Sequence, residues 1–177
     1  MINLNLARIL AHTHPHAQAN VDYQVHVVDG AQVIRRWDNN RLGPQPSELE
    51  LINSSPLAEL EHAKRLACRQ IKDSAKTKMV SGFTSDALGS PHYYDSTIED
   101  QLNLSQMAVL KKDTTYPCTS MGSDIKADVL HTAKEIAQVF KDGVKIRREI
   151  LEKSRKDRES IAIAQTISEV DDIMTEW

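Results

Sequence analysis

Aromatic residues are scarce, at 5% of the chain, so any core must be mostly aliphatic. Long apolar runs are absent: none approaches the roughly 20 residues that a membrane-spanning helix needs, and no membrane partner is expected. An excess of one charge is absent as well. The chain has 22 basic and 25 acidic residues, for a net charge of -3, whereas a nucleic-acid module is normally clearly basic. Cysteine is limited to Cys68 and Cys118, far apart and without a metal-ligand companion, which argues for two free thiols in a reducing cytoplasm. The six glycines are isolated, so there is no phosphate-cradling loop. Neither a Gly-x-Ser-x-Gly elbow nor a His-Glu-x-x-His helix occurs. Met1 to Leu10 is short, alternating and interrupted by Asn3, Asn5 and Arg8, unlike a signal peptide. The composition, 40% hydrophobic and 27% charged over 177 residues, fits one ordinary domain or two small ones.

What is present is a strongly patterned last third, His131 to Trp177. Thr132 with Glu135 forms a capping box, in which each side chain reaches the other residue's free amide. Ile136, Val139, Phe140, Val144, Ile150 and Leu151 follow at helical spacing. Thr166 with Glu169 repeats the box before Val170, Ile173 and Met174. The spacing therefore predicts a long amphipathic helix, a break and a short terminal helix. Such a stripe must bury itself, within the chain or between copies.

Upstream, Ile2, Leu4 and Leu6 alternate with Asn3 and Asn5, which predicts a half-buried strand and a mobile arm over 1–20 that orders on a neighbour. His12, His14 and His16 stand at every second position and are the metal-ligand candidates. No carboxylate or cysteine joins them, so a solvated linker is preferred and no metal or cofactor is expected. Val21 to Trp37 reads as a β-hairpin around Asp29-Gly30. Ser47 with Glu50 caps one or two helical turns, and Asn53 to Pro56 breaks them. A helix from Pro56 to about Lys78 follows, with Cys68 on or beside its apolar stripe. Two short strands flank a Gly89 loop, Met79 to Phe83 and Pro91 to Tyr94. Ser96 with Glu99 caps a helix to about Lys112 carrying Ile98, Leu102, Met107, Val109 and Leu110. Tyr116 to Thr119 is extended, with Val129-Leu130 as its partner. The class is α+β: an N-terminal strand and hairpin region, then a mainly helical domain with a small antiparallel sheet and a long C-terminal helix. The divisions are an arm over 1–20, a hairpin attachment region over 21–54 and the helical domain over 55–177.

Asp95, Glu99 and Asp100 form a carboxylate cluster of the kind glycoside hydrolysis uses, and a capping role explains them better. His92, Tyr93 and Tyr94 fit strand packing as well as a sugar-stacking surface. Glu149 with Lys153 is a candidate i,i+4 pair on a solvated face. No enzyme is expected.

One resemblance stands beside this reading. It is carried by Gly82-Phe83-Thr84-Ser85 with Leu88-Gly89, and by Tyr94-Asp95-Ser96 with Asp100 to Leu104. It continues through Tyr116 to Thr119, His131 to Ala133, Gln138-Val139, Asp142-Gly143, Glu169-Val170, Ile173 and Trp177. In this order and spacing, Gly82 to Trp177 resembles a domain of unknown function common in bacteriophage tail-fibre and tail-assembly genes. Ile34 to Asp38 and Leu42 to Pro46 resemble the hairpin region preceding it, while the charged run Arg147 to Ser160 departs from the pattern. The resemblance implies a virion tail, fibre or baseplate component, or an assembly chaperone for one, made in the host cytoplasm. Its partners would be other tail or fibre proteins and further copies of itself. Ile2, Leu4, Leu6, Trp37, Phe140 and Trp177 are the expected partner-binding residues.

Overall fold

Asn5 starts the first helix rather than continuing a strand. Its side chain accepts from the Arg8 amide, capping α1 (Leu6–Thr13). The computed structural model, which describes residues 4–177, thus corrects the strand expected over Met1 to Leu10; Ile2 lies outside the described residues. The alternation Leu4, Leu6 is overridden by Leu6, Ile9 and Leu10, which share one helical face and are buried.

The chain divides into two units. The first holds the described residues up to Cys68 together with Ile161–Glu176; the second holds Arg69–Ser160 and Trp177. In the first, the hairpin expected from Asp29-Gly30 is present as β1 (Tyr23–Val28) and β2 (Ala31–Trp37), antiparallel with a bulge at Gln24/Val25. Both turn residues have positive φ, the geometry for which this dipeptide is favoured. Leu6, Ile9, Leu10, Tyr23, Leu51 and Ala58 form the core here. A buried Asp22 ties the hairpin's two ends together. It accepts from the Gln18 amide at 2.8 Å and from Arg41 Nη1 at 2.5 Å, while its carbonyl accepts from the Asp38 amide. Asp38 in turn caps the short α2 (Asn39–Leu42).

The Ser47–Glu50 box forms as expected, but the helix it starts does not stop. α3 (Glu48–Val80) runs through Asn53 to Pro56, with Pro56 inside it. Leu51 and Ala58, on either side of the proline, are both buried in the same core, so packing holds the turns together despite the missing amide hydrogen bond. The chain passes to the second unit within α3, between Cys68 and Arg69. Cys68 is half-buried.

The second unit carries a four-stranded antiparallel sheet in chain order: β3 (Phe83–Ser85), β4 (His92–Tyr94), β5 (Thr114–Ser120) and β6 (Lys126–His131). Met79 and Val80 end α3 instead of opening β3. Tyr116 pairs with Val129, bearing out the expected partner strand. α4 (Ile98–Leu110) is capped by Thr97 with Asp100, one residue later than the Ser96–Glu99 box. Ser96 is instead buried, donating to the Met79 carbonyl. Lys111 ends α4 in the left-handed conformation. α5 (Ala133–Ile163) starts on the Thr132–Glu135 box, and α6 (Ile167–Met174) on Thr166. Ile136 and Val139 are fully buried in a core with Phe83, Tyr94, Leu104, Tyr116 and Cys118, and Phe140 packs half-buried beside them. Val144 and Leu151, expected on the same stripe, are exposed. Glu149 lies 4.0 Å from Lys145, while Lys153 pairs with Asp157 at 2.8 Å.

α1 is therefore part of the first unit's core and not a free arm. Ile9→Ala should cost about 2–5 kcal/mol, read by denaturant unfolding of the full chain; a loss below a few tenths would restore the arm. Gly143 lies buried on α5, where an added Cβ would come within 2.8 Å of the Phe83 ring. Gly143→Ala should lower the melting temperature even though alanine favours helix by about 1 kcal/mol, because β3 cannot approach as closely.

Candidate functional site

Tyr94, on β4, is the most buried aromatic of the second unit. Its hydroxyl lies 2.9 Å from His131 Nε2, and His131 Nδ1 lies 2.8 Å from the Val129 carbonyl. A carbonyl only accepts, so Nδ1 carries a proton, and in the neutral ring Nε2 receives the Tyr94 hydrogen. Cys118 packs in the same core as Tyr94. Burial pushes the Tyr94 hydroxyl well above its ordinary value, and raises that of Tyr116 to about 12. Burial likewise raises the Cys118 thiol, against the opposing pull of Tyr94. These groups are protonated donors held in a dry core, without an open face to a substrate.

A polar cleft of about 390 Å³ lies beside β3, lined among others by Ser85, Gln138, Asp142, Lys145 and Glu149. Ser85 Oγ donates to Asp142 Oδ2 at 2.5 Å, and Gln138 Nε2 donates to Asp142 Oδ1 at 2.7 Å. Both carboxylate oxygens are thus engaged, and the serine's hydrogen is committed to Asp142. The arrangement ties β3 to α5. The acidic cluster near α4 is similarly occupied: Asp95 pairs with Lys126 and Asp100 caps the helix. Tyr93 donates to the Ser81 carbonyl, and His92 Nδ1 meets the Ser90 carbonyl at 2.8 Å.

Many of the residues that carry the tail-gene resemblance have work in this unit. Gly82 adopts φ +101° beneath the Tyr93 ring, where a side chain would collide. Gln101 donates to the Met79 and Ser96 carbonyls, and Tyr116 to that of Asp100. Trp177 Nε1 donates to Asp157 Oδ2 at 2.8 Å, with Lys78 and Lys153 over its ring at 4.6 and 5.5 Å. Compared with family models, with curated proteins and with solved structures, the chain finds no match.

The expected partner-binding residues are divided between the two units, and Ile2 lies outside the described residues. Leu6 is buried and Leu4 packs against the same core. Trp37 packs there too, donating from Nε1 to the Gly43 carbonyl at 2.8 Å. Phe140 and Trp177 are half-buried in the second unit. Of the three histidines, His14 stands edge-on to Trp37 with ring centroids 5.0 Å apart, His12 lies in the last turn of α1 and His16 is exposed. Among the described residues no His, Cys, Asp and Glu group is placed to hold a metal, and no helix is long and apolar enough to cross a membrane.

What sequence reasoning missed is the second face of α4. Leu104, Met107 and Ala108 pack on the core, while Ile98, Leu102, Val109 and Leu110 are 58–78% exposed. Ser105, Gln106, Val109 and Leu110 line a shallow hollow of about 410 Å³ on that outward side. The signal was present: this helix is apolar on both sides, whereas a surface helix normally keeps one polar face.

Asp157 supplies a pH test. Burial alone would raise its carboxyl, but hydrogen bonds from Lys153 and Trp177 outweigh that and hold it below its ordinary value. A depressed folded value means stability that is complete above the unfolded value near 4 and is lost as pH falls through the folded one. Trp177 fluorescence should change in that acid window, and Asp157→Asn should remove the change. Tyr94→Phe, which leaves His131 Nε2 unpaired, should cost about 1–3 kcal/mol by thermal or denaturant unfolding.

Proposed function

We propose that this chain is a structural component of a bacteriophage tail, a fibre, baseplate or fibre-attachment protein acting through protein–protein contacts. The observation that carries the contact role is the exposed apolar face of α4, since contiguous exposed apolar patches mark interaction sites on soluble proteins. The tail setting is supported by the residue pattern from Gly82 to Trp177. In this reading the chain is made in the host cytoplasm, joins other tail or fibre proteins and stays in the virion, with no chemistry of its own.

Mass spectrometry of virions purified from cells producing this chain tests the reading. Presence at stoichiometric level supports it. Absence from particles, with co-purification alongside fibre from infected cells, would replace it with an assembly chaperone. Leu102→Glu with Val109→Glu should lower incorporation about tenfold or more, the effect of roughly 1.4 kcal/mol in binding.

A further inference from the structure

We propose that α4 pairs antiparallel with α4 of a second copy of this chain, a partner assignment that rests on reading this face as a contact surface. Ile98, Leu102, Ser105 and Val109 are spaced four, three and four apart, the seam of a helix that packs against another helix. The seam carries no charged residue. Its two halves also differ in shape. Ile98 and Leu102 project at the N-terminal half, while Ser105, Gln106, Val109 and Leu110 enclose the hollow at the C-terminal half.

A two-fold axis through Ser105 would set each copy's Leu102 into the other's hollow, so one patch is its own complement. Closed two-fold pairing requires such a patch. The short side chain of Ser105 lets the helices approach at the axis.

Charge fits the same arrangement. Glu99 is exposed at the N-terminal end of α4, and Lys111 and Lys112 at the other. The remaining acids nearby are engaged: Asp95 with Lys126, Asp100 in the cap and Asp113 with the Ala133 amide. Antiparallel pairing brings Glu99 opposite the second copy's Lys111 and Lys112 at both ends; parallel pairing would oppose like charges. α4 has 13 residues and so spans about 20 Å. Two copies would bury on the order of 1,000 Å², the lower end for a specific interface. A weak, reversible dimer is expected of an interface of this size.

Sedimentation of the full chain over a concentration series tests this. Wild type should pass from monomer to dimer. Leu102→Glu should weaken the dimer by about tenfold or more. Lys111→Glu with Lys112→Glu should also weaken it, and adding Glu99→Lys to that variant should restore it, an outcome that loss of folding cannot imitate. In a Cys68→Ser background, Ser105→Cys should form disulfide-linked dimers on mild oxidation, and Thr77→Cys, at an exposed position of α3, should not. A chain that stays monomeric at the highest concentration reached, or a dimer indifferent to these changes, overturns the pairing. A monomer whose Leu102→Glu variant still fails to enter virions would overturn the pairing alone and leave the wider reading standing.

Discussion

The hydrogen bond between Tyr94 and His131 is the constraint around which the second unit is arranged. It joins β4 to the end of β6, immediately before α5 begins. Unpaired polar groups in a dry core are costly, so the strand order and the start of the helix are fixed together by one pair of rings. Cys118 enters the same core from β5. Around it Phe83, Tyr116 and Leu104 fill the apolar volume that a chain poor in aromatics cannot fill more than once. The first unit has its own counterpart in Asp22, a single buried carboxylate that gathers a loop amide and an arginine side chain.

Legibility in the sequence followed how local each determinant is. The Ser47–Glu50, Thr132–Glu135 and Asp29-Gly30 signals act over four residues or fewer, and all three elements form. The Thr97 cap was missed by one position because Ser96 offers the same chemistry, and only the Met79 carbonyl that captures its hydroxyl decides between them. Pro56 misled more deeply. A proline ordinarily ends a helix or sits in its first turn, and the burial of Leu51 and Ala58 that overrides this rule comes from elsewhere in the chain. The same holds for α1, where alternation and helical spacing compete over six residues and the hairpin's core settles the contest.

The interaction surface was less legible than the fold. Sequence spacing identified α4 as apolar but assigned Ile98, Leu102, Val109 and Leu110 to the same role as Met107. Only the placement of β5 against one side of the helix, through Tyr116 and Asp100, separates the covered face from the open one. The residues expected to bind partners are large and apolar, and size draws a side chain into its own core first. Trp37 and Leu6 show this plainly.

The first unit is discontinuous in sequence: Ile161, Ala164 and Val170, all buried, return to it after all of the second unit but Trp177 has been made. At about 5–20 residues per second of synthesis, the stretch 69–160 takes on the order of 5–20 seconds to emerge. During that interval the front of α3, which the returning segment meets through Lys64 and the Ala162 carbonyl, waits for its last neighbour, while the second unit has nearly all its residues in hand. The order of maturation is therefore written into the connectivity, with the later-encoded unit closing first and the earlier one held open for its last segment.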